Sequence, residues 1–244
     1  MDITVIGYWG AYPERDEATS GYLVECGATK ILLDCGSGVL SKLQNYCAIE
    51  ELDAVVITHT HADHIADAFS LEFAVLVLSQ LGKRKKPLDY YVYGENLERL
   101  PFQFPDHARV HPIRIGERLS IGETRLDFSA NVHDVPCCAV RVTSDTGRTL
   151  VYSGDTGYCN NIVELSRSAD ALLLECSFYD WQKGVMNGHL TAGEAGEIAA
   201  LAEAGQLVLT HLPHYGEHRQ LIHEASRQYE GWIRLAYSGM KIKI

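Results

Sequence analysis

No Cys-x-x-Cys pair occurs in the chain, although it contains seven cysteines. That number is odd and two of the thiols, Cys137 and Cys138, are adjacent, so neither a disulfide framework nor a cysteine zinc ribbon is indicated. A reducing, cytoplasmic compartment is expected. Long apolar runs are also missing. No stretch of about 18 residues is free of charge, so a membrane span is not expected. The opening segment, MDITVIGYWG, carries an acid at position 2 and no basic region, so a secretory signal is not expected there. Basic excess is absent too. Lys and Arg number 21 against 32 Asp and Glu, a formal net charge of −11, which disfavours broad attraction to a phosphate backbone. A general nucleic-acid coat protein is excluded.

What is present is ordinary for a globular chain: 46% apolar and 22% charged residues over 244 positions. A chain of this size buries roughly three-quarters of the surface its unfolded form exposes, so its core needs no metal or disulfide. A metal, if held, is there for chemistry.

Along the chain, Asp2 to Tyr8 reads as a strand, followed by a loop from Gly10 to Asp16. Gly21–Cys26 and Lys30–Asp34 read as a hairpin ending in the turn Cys35, Gly36, Ser37, Gly38. A short helix over Val39 to Tyr46 precedes DAVVIT (Asp53 to Thr58), an apolar run of strand length with both faces buried. His64 to Leu81 reads as one helix stopped by Gly82. Leu88 to Tyr93 is strand-like, and the stretch from Arg109 to Tyr152 is mostly sheet. After Gly157, helix and strand patterns alternate: Asn160–Arg167, Ala171–Leu174, Thr191–Ala204, Gln206–Thr210 and Glu217–Tyr229. No repeat of fixed period and no long linker divides the chain, so residues 1–244 are read as a single layered α/β domain.

The chemistry concentrates in THTHADH, directly after DAVVIT. His59, His61, Asp63 and His64 are potential metal ligands at the carboxyl end of a buried strand. In an extended turn His59 and His61 point to one side and can grip one ion, while Asp63 and His64 begin a helix and can grip a second. Further candidates end other predicted strands: His133 after Leu126–Val132, Asp155 in YSGDTG, and His211 in QLVLTH. Strand ends are where α/β active sites assemble. The isolated histidines His107, His111, His214, His218 and His223 are read as half-buried, hydrogen-bonded side chains.

THTHADH, His133, YSGDTG and THLP together resemble the metallo-β-lactamase superfamily over almost the whole chain. The resemblance implies an αβ/βα four-layer sandwich, two mixed sheets flanked by helices, with a metal pair at one edge. It also implies the ligand sets. His59, His61 and His133 would hold one ion, Asp63, His64 and His211 the other, and Asp155 would bridge them. Nitrogen and oxygen donors point to zinc, with manganese the other option.

DALLLECS followed by Gly188, His189, Leu190 and Thr191 resembles the ribonuclease Z-like branch, in which a Glu after a buried strand pairs with a His in an H-x-T motif. Here these are Glu175 and His189. A leaving alkoxide needs a proton, and a His polarised by a carboxylate can donate one. The alternative is that His189 only caps the helix from Thr191. SGYLVECG, DCGSGVL, YSGDTG, LLLECS, the H-L-T segment with GEAGEIAA, and LTHLP resemble a small phosphodiesterase branch active on cyclic nucleotides. The chain lacks room for the long tRNA-gripping arm of ribonuclease Z, and its LECS stands where that family has HEAT.

The favoured expectation is a binuclear phosphodiesterase acting on a 3′,5′-cyclic nucleotide. A hydroxide bridging the two ions would attack, Asp63 would help orient it, and His189 would be the general acid. Cleavage of RNA or DNA ends is the next reading, and acyl hydrolysis of a thioester or lactone on the same metal core the third. A homodimer is implied by the resemblance, and no membrane partner is expected. The aromatic residues Tyr8, Trp9, Tyr12, Phe178, Tyr179 and Trp181 could stack a base or simply pack their loops. The basic run Lys83 to Lys86 reads as a solvated turn.

Overall fold

The computed structural model describes residues 1–244. Strands β1 (Asp2–Gly7), β2 (Gly21–Cys26), β3 (Thr29–Leu33), β4 (Ala54–Ile57), β5 (Leu88–Val92) and β6 (Ala108–Pro112) belong to one sheet. The second contains β7 (Leu119–Ile121), β8 (Thr124–Ala130), β9 (Cys138–Thr143), β10 (Thr149–Tyr152), β11 (Ala171–Glu175), β12 (Gln206–Thr210) and β13 (Trp232–Leu235). The last strand, β14 (Lys241–Lys243), returns to the first sheet and pairs antiparallel with β1.

Successive side chains of a strand point to opposite faces, so strands with no exposed position must be covered on both. β4 and β11 are buried throughout. Val5, Val24, Leu33 and Val56 of the first sheet meet Leu126, Val140, Leu150 and Leu173 of the second in a shared core. Outside the first sheet lie helices α1 (Val39–Leu43), α2 (Ala62–Ile65) and α3 (Ala68–Gln80). Here Leu32, Val55 and Ile57 pack with Val39, Leu71 and Val75. Helices α4 (Asn160–Ser166), α5 (Ala192–Leu201) and α6 (His218–Ala225) cover the second sheet, where Leu172, Leu174 and Leu209 pack with Ile162, Ile198 and Leu221. The result is the expected four-layer α/β sandwich of two mixed sheets. No helix is long and apolar enough to cross a membrane.

The two sheets repeat one plan. In the first, antiparallel pairings β14–β1–β2–β3 give way to parallel β3–β4–β5–β6. In the second, antiparallel β7–β8–β9–β10 gives way to parallel β10–β11–β12–β13. The same clamp fixes register in both. Asp53, just before β4, accepts the Lys30 N–H at 2.8 Å, and Asp170, just before β11, accepts the Thr149 N–H at 2.8 Å.

Several local expectations change. The single helix over His64–Leu81 is instead α2 and α3, because the Asp63 and His64 carbonyls accept the N–H groups of Ser20 and Cys35, at 3.2 and 2.8 Å. The Asp67 N–H then turns to the Cys35 carbonyl at 3.0 Å. Gly36 makes this approach possible, since a Cβ there would lie 1.9 Å from the Asp63 carbonyl oxygen. Strands β13 and β14 were not foreseen. They are short edge strands, and in β14 only Ile242 is buried, so they carry little alternation. Within the basic run, Arg84 is buried rather than solvated and donates to the carbonyls of Ile49, Glu50 and Leu52.

Candidate metal centre

The carboxyl ends of β4, β10, β11 and β12 open on one side of the sandwich, and each carries a polar residue of the site: His59, Asp155 and His211 just beyond β4, β10 and β12, and Glu175 as the last residue of β11. His61 immediately precedes α2, whose single turn carries Asp63 and His64. His133 lies in the loop after β8, its Nδ1 bonded to the Gly188 carbonyl at 2.9 Å.

The seven ligand-type side chains named from the sequence meet in one pocket. His59, His61, His133 and Asp155 form one group, and Asp63, His64, Asp155 and His211 a second, with the donor atoms of each group within 4.8 Å of one another. Asp155 is common to both. Its Oδ2 lies 3.7 Å from His59 Nε2, 3.8 Å from His133 Nε2 and 3.4 Å from His211 Nε2, while its Oδ1 is 3.2 Å from His64 Nε2. His211 Nε2 is 3.1 Å from Asp63 Oδ2.

A buried polar atom normally has a partner. Here His59 Nε2, His64 Nε2 and Asp155 Oδ1 are buried with none. Three orphaned donor-type atoms converging on one space, in a set of imidazoles and carboxylates, fit divalent cations.

Two buried carboxylates hold this array from behind. Asp34 accepts from the Thr58 N–H at 2.7 Å, the Thr58 hydroxyl at 2.9 Å and the Tyr152 hydroxyl at 2.7 Å, and pairs with His64 Nδ1 at 2.7 Å. Thr58 Oγ is in turn 3.1 Å from His59 Nδ1. Both imidazoles are thereby oriented with Nε2 toward the pocket, the usual arrangement behind a metal-binding histidine. Glu175 accepts from the Thr156 N–H at 3.0 Å and the Ser177 hydroxyl at 2.9 Å, and pairs with His189 Nδ1 at 2.8 Å. Ser177 Oγ reaches His211 Nδ1 at 2.9 Å.

The electrostatics follow from these contacts. Burial, reinforced by neighbouring His64, pushes His59 well below the ordinary imidazole value. Burial also opposes the charge on His64, but Asp155 and Asp34 more than offset it and hold that imidazole well above. Burial acts on His189 in the same sense, yet the charge and hydrogen bond of Glu175, with Asp155 beyond, raise it to about 9.

His189 does not cap α5. Thr191 does, accepting the Glu194 N–H while Glu194 reaches back to the Thr191 N–H. Asp34, Thr58 and Ser177 were not singled out from the sequence. The usable signal for Asp34 was its place immediately after a buried strand in DCGSG, where it takes a left-handed φ of 55°.

Other candidates fall elsewhere. The run Lys83–Lys86 lines a cavity of about 820 Å³ with Asp53 and Asp89, at the amino-terminal ends of β4 and β5, the far end of the sheet from the histidines. Tyr179 is buried and donates to the Tyr215 carbonyl, so it packs its loop. Trp9 and Tyr12 stack on His214, with centroids at 4.7 and 3.7 Å, and His214 Nε2 bonds the Gly10 and Tyr12 carbonyls. Phe178 stands edge-on to His189 at 5.9 Å.

Fold and site together define a metal-dependent hydrolase. The Beta-lactamase superfamily domain matches residues 29–212, and the chain belongs to that family. It is similar to the probable metallo-hydrolase YhfI of Bacillus subtilis (strain 168), 42% identical over 240 residues that cover 98% of each chain. The crystal structure of the metallo-beta-lactamase fold protein YhfI superposes with a TM-score of 0.95 at 41% identity, covering 99% of this chain and 98% of that one. Ribonuclease Z of Myxococcus xanthus (strain DK1622) is 26% identical over 306 residues, covering 100% of this chain and 98% of that protein. The short form of human tRNase Z, at 23% identity, shares the fold with a TM-score of 0.78 over 100% of this chain and 99% of that one.

Proposed function

We propose that this hydrolase cleaves a phosphodiester, with a 3′,5′-cyclic nucleotide as favoured substrate and His189 as proton donor. The observation that carries the reading is the Glu175–His189 pair at 2.8 Å, which lies outside the two groups of four that share Asp155 and forms, with His211, a third and smaller cluster beside them. Glu175 occupies Nδ1, which leaves Nε2 to meet the departing ribose oxygen. Phosphodiester cleavage expels an alkoxide that needs such a proton, whereas a thioester expels a thiolate that leaves without a dedicated donor.

His59, His61 and His133 would hold one ion, Asp63, His64 and His211 the second, and Asp155 would reach both. Zinc suits these donors, and manganese is the other option. When bound, such a pair supplies Lewis acidity toward phosphoryl oxygens and lowers the pKa of water. The chain's own residues do the rest. Asp34 fixes His64 and, through Thr58, His59. Ser177 ties His211 to the carboxylate that orients His189. The exposed apolar side chains Phe73, Val77 and Leu81 along α3 support the homodimer.

Relatives named ribonuclease Z make nucleic-acid ends the second reading. The test is chromatographic detection of AMP from 3′,5′-cyclic AMP by zinc- or manganese-loaded protein, with an Asp155→Ala variant as blank. Turnover that vanishes in the variant supports the reading. No turnover at full metal occupancy removes the cyclic nucleotide, and assays on RNA ends and thioesters then discriminate the remaining two.

A further inference from the structure

A cavity of about 400 Å³ adjoins His189. Its walls include the aromatic faces of Tyr158 and Phe178, the thioether of Met186, and the amides of Gln182 and Asn187. Lys183 is also in the lining, but its Nζ lies 3.3 Å from Glu194 Oε1, a carboxylate of the same cavity. The two charges offset each other. The segment that carries this lining is apolar for a surface loop: Met186, which lines the cavity, is 53% exposed, and its sequence neighbours Trp181 and Val185 are 72% and 65% exposed. Exposed apolar side chains gathered at the mouth of a cavity mark a binding surface.

The position of the cavity decides what part of a substrate it receives. A proton donor stands on the leaving-group side of the bond that breaks, so a space walled by His189 accepts whatever is attached to the departing oxygen. The paired Lys183 and Glu194 leave the lining without a free cation for a second phosphate. Two aromatic faces and two amides suit a flat, uncharged, hydrogen-bonding group. Resting on the phosphodiester reading above, we infer that this cavity is the leaving-group subsite and takes the nucleoside portion of the substrate, its base against Tyr158 and Met186 and its polar edges toward Gln182 and Asn187.

The test is calorimetric titration of adenosine into metal-loaded protein, beside hydrolysis of bis(p-nitrophenyl) phosphate by the same preparation. Adenosine should bind the wild type, and Tyr158→Ala combined with Met186→Ala should weaken it about tenfold, the size of a lost stacking contact. Both side chains are partly exposed, so the double variant should keep the wild-type circular dichroism spectrum. Tyr12→Ala removes an exposed aromatic of the first loop, next to Ala11 whose N–H reaches Asp63, and should leave adenosine affinity within about twofold. No adenosine binding, or a loss on Tyr12→Ala in place of the double variant, overturns the subsite. Adenosine binding without any hydrolysis of bis(p-nitrophenyl) phosphate would instead sink the phosphodiester reading and the leaving-group assignment, leaving the cavity a nucleoside site only.

Discussion

The two halves of the molecule build the same device and use it differently. In the first sheet, Asp34 follows β3 and accepts the N–H of Thr58 at the end of β4. In the second, Ser153 follows β10 and its hydroxyl accepts the N–H of Glu175 at the end of β11. The carboxylate and hydroxyl have exchanged strands, yet each half has one buried carboxylate that touches one histidine directly and another through a hydroxyl. These are Asp34 with His64 and Thr58–His59, and Glu175 with His189 and Ser177–His211. In the first half both histidines enter the metal-type groups. In the second, His211 joins Asp155 in a group of four, while His189 clusters only with Glu175 and His211, away from Asp63 and His64. On the proposed reading, that one departure separates holding a cation from moving a proton.

The largest effect expected from this contrast is on the whole array. Chelation should abolish hydrolysis, a loss above about 10³-fold, while far-UV circular dichroism stays native, because the three apolar layers do not depend on the ions. Next, His189→Ala should lower kcat on a phosphodiester by about 10² or more with metal content unchanged. A loss of metal in that variant would erase the distinction between the halves. Asp34→Ala should lower stability by about 3 to 5 kcal/mol, since it strips a partner from Thr58, Tyr152 and His64 inside the core. Denaturant unfolding reads this directly, and Ser153→Ala, the counterpart in the other half, should cost only about 1 kcal/mol.

The smallest effect concerns the register clamps. The Arg148 and Thr149 hydrogen bonds outweigh partial burial and hold Asp170 below its ordinary carboxylate value. A depressed folded value contributes stability that is fully present above the unfolded value near ~3.9 and is lost as pH falls through the folded one. Asp170→Asn should therefore destabilise by about 1 kcal/mol at pH 7, and the difference from wild type should shrink as pH drops below about 4. A gap that persists at low pH would assign the effect to the side chain's shape in place of its charge.

Much of this was legible in the sequence, for physical reasons that differ by element. Buried strands such as AVVI and ALLLE advertise themselves by unbroken apolar runs, and THTHADH by packing four donor-type side chains after one of them. The candidate donors and Glu175 stood at predicted strand ends or in the turn beyond them, and His189 stood before a predicted helix; the structure places all nine side by side. What escaped was tertiary. Asp34 looks like one more turn acid until β4 is laid beside β3. The break between α2 and α3 arises because Ser20 and Cys35, distant in sequence, take the helix's carbonyls. Arg84 reads as surface charge until the carbonyls around Ile49 are seen to converge on it. The internal repetition escaped as well, because it conserves strand order and hydrogen-bond logic while its carboxylates and hydroxyls trade places.

The central claim is that Asp34, whose direct histidine partner is His64, serves metal binding, while Glu175, whose direct partner is His189, serves chiefly proton transfer and reaches His211 only through Ser177. The most direct measurement is metal content by mass spectrometry, paired with AMP formation from cyclic AMP, in Asp34→Asn and Glu175→Gln. The account predicts that Asp34→Asn loses metal and turnover together, with affinity falling by about 10- to 100-fold. It predicts that Glu175→Gln keeps the wild-type metal content while kcat falls at least about tenfold. Loss of metal from Glu175→Gln, or full turnover by it, would contradict that division.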